Sequence, residues 1–444
     1  MPLLGISITL LIGMTGAAVD MGRAQQAQTK LSSSLDAAGL AAGATISTTD
    51  LNAEANKYLE VNFQDYLGAT ITDFTTTVNA DNSTITLSAT ATVPTTLMQV
   101  MGIHSNTVHA SSEIIRSSKG LELAMVLDNT GSMSGSKLTS LKLAATDLVN
   151  ILYGANDTVD DLYIGLIPFS QAVNIGTSRA SWTATNGFNW GSTNWSSCVD
   201  ARYNDNRDVT DDPPSVSLFT QYYWPCHSSK NAWYGTNYNR SNCSTSGTIR
   251  YKSNLGTSSG PNKYCPQPVT ALTSSKPNIL SAIGGMQAVG YTHINLGAAW
   301  GWRMLSPRWR GLWGGEMNTQ NLPLDYNTQN MNKAVIIMTD GDNTMSNNSH
   351  TAYGYLFEGI LGTTSSSSAK VELDNRLLQV CSAMKQNNII VYTVSFGSVS
   401  GSSQTMMRNC ASQPDYYFNS PSSGDLQQAF RAIGDSLASL RVSR

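Results

Sequence analysis

Four short apolar runs constrain this chain more than anything else in it: LELAMVLD (121–128), LYIGLIPFS (162–170), KAVIIMTD (333–340) and IIVYTVSFG (389–397). Each is strand length and apolar almost throughout, the pattern of a strand buried on both faces. Helical patterns separate them. Leu138, Leu141, Ala145, Leu148 and Leu152 share a face after the first run, and further helical stretches cover about 276–287, 296–305 and 370–386. An amphipathic segment, GDLQQAFRAIGDSLASL, closes the chain. Strands alternating with helices predict an α/β domain with a doubly wound, mostly parallel sheet over residues 119–444.

Two insertions break the alternation. Residues about 176–272 carry Cys198, Cys226, Cys243 and Cys265 together with Trp190, Trp195, Trp224 and Trp233. A loop of this length needs disulfides and aromatic packing to become ordered. The second insertion, about 343–369, is rich in Ser, Asn and Gly. The chain has 6 cysteines and 5 scattered histidines, and no C-x-x-C spacing, so a zinc site is disfavoured and disulfides in an oxidising compartment fit better. Pairing among the first four is open. Cys381 and Cys410 bracket the last strand, and a bridge between them would contribute roughly 3–4 kcal/mol in the chain-entropy model.

The start of the chain has a different character. Pro2 to Val19, PLLGISITLLIGMTGAAV, carries no charge, and its eighteen residues would span about 27 Å as a helix. A cleaved signal peptide is the rival, but no basic segment precedes the run. Residues 1–44 therefore read as a transmembrane segment with a helical extension. Residues 45–118 read as a small β-rich pre-domain, because ITDFTTTVNADNSTITLSATATV alternates about a turn at 79–83 as a hairpin does. Lys and Arg follow the apolar run, which places the body in the cytoplasm, whereas the cysteines place it outside. The cysteines outweigh the charge signal, and a basic segment is expected upstream of the present start. Charged residues make up only 13% of the chain and the net charge is -3, so there is no basic surplus to drive nucleic-acid binding.

Open α/β sheets bind ligands beyond the carboxyl ends of their strands. Three segments converge there: Asp128-Asn-Thr130-Gly-Ser132 after the first strand, Thr292 in GYTHINLG, and Asp340 at the end of KAVIIMTD. Two carboxylates and three hydroxyls form an all-oxygen donor set suited to Mg²⁺, with Mn²⁺ or Ca²⁺ as alternatives. Ser132 and Ser134 lack a nucleophile elbow, and NTGSMSGSK lacks the spacing of a phosphate loop, so catalysis is not expected. His293 and the pair Trp300 and Trp302 read as packing residues. The acids of YNDNRDVTDDPP, Asp205, Asp208, Asp211 and Asp212, read as a solvated turn or a calcium-binding loop.

DNTGSMS, the threonine of GYTHINLG and the strand ending MTDG resemble the metal-ion-dependent adhesion site of von Willebrand factor A domains. The resemblance implies that Asp128, Thr130, Ser132, Thr292 and Asp340 hold a divalent metal, with Thr130 where many members have Ser. GAAVDMGRAQQAQTKLSSSLDAAGLAAG, THINLGAAWGWRMLSP and FRAIGDSLASLRVSR resemble TadE/TadG-like proteins of Flp (Tad) pilus assembly. That resemblance implies a single-pass protein of the bacterial inner membrane with its body in the periplasm. It further implies a non-enzymatic role in which the metal accepts an acidic residue of a protein partner, a pilus-assembly component. A secreted or surface adhesin using the same site is the alternative.

Overall fold

The computed structural model describes the chain except residues 1, 45–50, 65, 80–83, 116, 185–193, 225–261, 348 and 444, with residues 2–13, 44, 115, 117–118 and 442–443 described as backbone alone. The chain divides into two compact units, residues 1–119 with 438–444, and residues 120–437.

The first unit packs two helices, α1 (Pro2–Ala44) and α2 (Leu51–Phe63), on an antiparallel sheet of β1 (Thr70–Val78), β2 (Thr84–Pro94) and β3 (Ser105–Ile115) in that order. Helical and strand periodicities meet in its core. Ala27, Leu31, Leu35, Ala38 and Ala42 form one stripe of α1, and Ile85, Leu87, Ala89, Ala91 and Val93 are the alternate residues of β2. The hairpin expected from the alternation forms, with its turn residues 80–83 outside the described residues. The helix α2 is an addition to the strand reading of this region. Its buried Ala55, Leu59 and Phe63 recur every fourth residue, a helical period that the neighbouring alternation obscures. Among the described residues no helix is long and apolar enough to cross a membrane, and most of the uncharged run has no described side chains.

The second unit is built on a six-stranded sheet. Its strands are β4 (Gly120–Asp128), β5 (Leu162–Phe169), β6 (Thr270–Thr273), β7 (Met331–Thr339), β8 (Ile390–Phe396) and β9 (Tyr417–Ser420). They lie in the order β6-β5-β4-β7-β8-β9, parallel throughout except for β6 at one edge. The four expected strands are the four central ones. The longer helices are α3 (Ser136–Tyr153), α4 (Lys276–Gly284), α5 (Ile294–Leu305), α6 (Ser366–Gln386), α7 (Gly401–Cys410) and α8 (Ser423–Arg441). In α3 the buried residues include Leu141, Ala145, Leu148 and Leu152, while Leu138 is half-buried. Strand β4 is buried at every position, including Glu122, which pairs with Lys333 directly across from it on β7.

The described part of the long insertion is tied to this unit. Cys198 bonds to Cys265, and Cys381 to Cys410, with no free cysteine among the described residues. Cys226, Cys243, Trp190 and Trp233 lie outside the described residues. Trp182 stacks on Trp300 at 6.3 Å and meets Trp309 and Trp313 edge-on, each at 5.1 Å. Trp300 and Trp302 are both buried, as core residues. Of the acids expected in a solvated turn or calcium loop, Asp205 is exposed, and Asp208, Asp211 and Asp212 are occupied instead by arginines and hydroxyls. Asp208 accepts from Arg376 Nη1 at 2.7 and 2.8 Å and from Tyr353 Oη at 2.6 Å. Asp211 accepts from Arg308 Nη1 and Ser306 Oγ at 2.6 Å each, and Asp212 from Arg308 Nη2 at 2.6 Å. Arginine side chains from the sheet unit thus replace the solvent or calcium expected of these carboxylates.

Candidate metal centre

The loops that follow β4 and β7 meet because those strands are adjacent and parallel, so both carboxyl ends fall at one edge of the sheet. Asp128 ends β4 fully buried. Its Oδ1 accepts from the Thr130 amide at 2.8 Å, and its Oδ2 from Thr339 Oγ1 at 2.8 Å and the Asp340 amide at 3.4 Å. Thr130 Oγ1 lies 2.9 Å from Ser132 Oγ, which donates to Asp340 Oδ1 at 2.6 Å. Asp128, Thr130, Ser132 and Asp340 therefore form one hydrogen-bonded set. Ser132 is exposed, so the set opens to solvent there.

The third loop is pinned from several sides. The Gly131 amide donates to Gly290 O at 2.9 Å, and the Val289 amide to Asn129 O at 2.7 Å. Gln171 Oε1 accepts the Tyr291 amide at 2.8 Å. Gly290 has φ +75°, and any side chain there would run into Gln171, so both the conformation and the close approach call for glycine. Thr292, buried, is held on its far side by the Thr344 amide, which donates to its carbonyl at 2.9 Å. The loop carrying Thr292 is thus bonded to the Asp128 loop and to the segment after Asp340.

The electrostatics disfavour negative charge on Asp128. Burial first, and then the nearby Asp340 carboxylate, raise Asp128 from 3.8 to about 6. Lys137, in the first turn of α3, brings its ammonium 2.6 Å from Asp340 Oδ2 while staying partly exposed. Lys137 and Thr339 belong to the arrangement and were not among the residues picked from the sequence. Thr339 is signalled only by its place before Asp340, and Lys137 by a lysine on the helix that the Gly/Ser loop opens. The donor set fits a hard divalent ion: paired carboxylates to balance its charge, and hydroxyls whose protons currently satisfy those carboxylates. Among the described residues no group of three or more His, Cys, Asp or Glu is placed for a metal, so the candidate is of the carboxylate-hydroxyl kind alone.

The neighbouring side chains pack beside the loops or bond to them. Ser132 bonds to Thr130 and Asp340, not to a histidine. His293 is fully buried, lies against Tyr353 at 5.7 Å and is lowered to about 3 by burial, so it stays neutral. Asn343 Oδ1 accepts the Ile294 amide at 2.8 Å, fixing the start of α5 just after Thr292. Asp342 accepts from Ser400 Oγ at 2.7 Å.

Residues 1–45 match the family described as "Putative Flp pilus-assembly TadE/G-like". The N-terminal segment is TadE/G-like. No curated protein matches the chain. Among solved structures, the von Willebrand factor domain of the type V pili tip protein Mfa5 from Porphyromonas gingivalis is 10% identical with TM-score 0.38, covering 74% of this chain and 97% of its own. The pilus adhesin SpaC from Lactobacillus rhamnosus GG is 11% identical with TM-score 0.37, covering 83% and 34%. Proximal thread matrix protein 1 from the mussel byssus, with a zinc-occupied MIDAS motif, is 12% identical with TM-score 0.34, covering 73% and 47%. The chain thus spans about half of the mussel chain and a third of SpaC. At these scores the assignment of a doubly wound, mostly parallel sheet rests on the strand order itself.

Proposed function

We propose that this chain is a non-enzymatic, TadG-like binding protein of a bacterial envelope, anchored in the inner membrane by Pro2–Val19 with its body in the periplasm. In this reading a divalent metal, Mg²⁺ by preference, sits among Asp128, Thr130, Ser132, Thr292 and Asp340 and supplies a positive point for an Asp or Glu of a pilus-assembly partner. The observation that carries the reading is the single hydrogen-bonded set joining Asp128, Thr130, Ser132 and Asp340 at the sheet edge. The chain's own residues do the positioning. Thr339 and the Thr130 amide orient Asp128, Ser132 orients Asp340 from the solvent side, and Gln171 and Thr344 fix the Thr292 loop. The match of residues 1–45 supports the pilus-assembly class, and the two described disulfides support an oxidising compartment.

The test is capture of partners from cross-linked envelopes with and without chelator. Asp128→Ala and Asp340→Ala should each abolish metal-dependent capture at near-normal protein levels, because both side chains, though buried, sit at the sheet edge and bond to loop groups. Thr130→Ala should weaken it less, since water can replace a neutral ligand but not a charge. Capture that is indifferent to chelator and to both aspartate variants would refute the metal reading. The anchor is tested separately: carbonate washing should leave the protein in membranes.

A further inference from the structure

The loop between β2 and β3 presents apolar side chains to solvent at one end of the first unit. Leu97, Val100, Met101 and Ile103 are exposed, and Val100, at 82%, is the most exposed large apolar side chain among the described residues. The loop is not loose. Asp20 of α1, itself buried, accepts four hydrogen bonds from it: the Thr96 amide at 2.8 Å, Thr96 Oγ1 at 2.6 Å, the Leu97 amide at 3.0 Å and the Met98 amide at 2.8 Å. Those amides open a single 3₁₀ turn, Met98–Met101, so the carboxylate of one element caps the other. Thr95 closes the loop from within, through its amide to His104 O and its hydroxyl to Ile103 O. Against α1 the approach is so close that a Cβ on Gly16 would come within 2.9 Å of Leu97 Cβ.

The position of this loop is set by the way the sheet lies on α1. Gln28 reaches His109 O, Asp36 accepts from Ser112, and Gly39 packs against Ile114, so β3 climbs α1 in step with it. The loop therefore sits at the N-terminal end of the described contacts, level with Gly16–Asp20, where the uncharged run Pro2–Val19 gives way to polar sequence. At this level Met14, Val19 and Met21 of α1 are exposed as well. Soluble surfaces scatter such residues singly, and their concentration here on two elements locked together calls for an apolar neighbour.

We infer that this neighbour is the bilayer: the 95–104 loop seats its apolar tip in the headgroup–acyl boundary and fixes how α1 leaves the membrane. The inference rests on the anchoring proposed above. It follows from continuity, because the loop is bonded to the helix at the point where a span of Pro2–Val19 would end. No lysine or arginine lies in residues 95–104, so the seating is apolar rather than electrostatic and is indifferent to lipid charge. Its depth is that of an interfacial segment, about 5–10 Å into the boundary. Asp20, at the same level, is spared exposure to lipid by the four donors that surround it.

The test uses the full chain in phosphatidylcholine vesicles, with a spin label on Val100→Cys or on Glu113→Cys. Glu113 adjoins Ile114, which packs on Gly39, twenty-three residues or roughly 35 Å up the helix from Gly16. The unsubstituted chain, labelled in parallel, sets the background. The label at 100 should collide with oxygen in preference to a water-soluble nickel chelate, and the label at 113 the reverse, at low and high salt alike. A label at 100 as open to the chelate as that at 113, in vesicles that keep the protein through carbonate, overturns the inference and leaves the anchor standing. Spin–spin broadening at 100 overturns it in favour of a second copy covering the patch. Loss of the protein to the carbonate wash overturns the anchor and the inference together.

Discussion

Replacing Asp128 by Asn separates a metal ligand from a turn former. In the metal-free protein, burial and the Asp340 carboxylate raise Asp128 from 3.8 to about 6. At about 1.4 kcal/mol per pH unit, the ionised carboxylate costs roughly 3 kcal/mol relative to the unfolded chain. Asn has the same shape and retains the acceptor for the Thr130 amide, 2.8 Å away, while its amide group can donate to Thr339 Oγ1, also at 2.8 Å. Asp128→Asn in chelator should therefore be at least as stable as the parent and up to about 3 kcal/mol more so. Metal reverses the order. An ion that binds only the folded state at a hundred times its Kd contributes about 2.7 kcal/mol, which the parent should gain and the variant should not. Urea unfolding followed through the buried tryptophans, with chelator and with Mg²⁺, Mn²⁺ or Ca²⁺, measures both quantities. A variant at least about 1 kcal/mol less stable in chelator, beside a parent indifferent to all three ions, would show that the carboxylate serves the turn alone.

Three further outcomes are expected. His350 is buried against Tyr222, Trp224 and Tyr355 and lowered to about 3 by burial. The unfolded chain takes up that proton first, so the His350 contribution to stability should fall by about 1.4 kcal/mol per pH unit as pH drops from about 6.5 towards 3, and a urea series on His350→Phe should show the overall slope reduced by that amount. Arg376→Met leaves Asp208 buried beside Tyr353 without its counter-charge, which should cost about 3 kcal/mol, largely recovered in the double variant with Asp208→Asn. Cys410→Ser opens a bridge of sequence separation 29 and should lower stability by about 3–4 kcal/mol, with one new thiol, Cys381, appearing on labelling of the denatured, unreduced chain.

The strands and helices of the second unit were legible because burial on both faces writes itself into local sequence: β4, β5, β7 and β8 are apolar over consecutive residues, and the helices between them are striped. The carboxylates at the ends of β4 and β7 were legible for a related reason, since a charge closing an apolar run marks where a strand leaves the core. The helix α2 was not, because its four-residue period is short and stands beside a strong alternation.

What the sequence could not hold was the identity of partners distant along the chain. Glu122 lies inside an apolar run and would read as an interruption. The parallel register of β4 and β7 sets it against Lys333, 211 residues away, and only there does burial of a charge become tolerable. Asp208 looks solvated in its Asn- and Asp-rich stretch until α6 brings Arg376 to it across 168 residues. Lys137 meets Asp340 across 203 residues because two loops share one edge of a sheet. A side chain's tendency to be buried is a property of its neighbours along the chain, and so the sequence determined which segments form the core. The partner that neutralises a buried charge is chosen by strand register and helix placement, and that choice was made only by the tertiary structure.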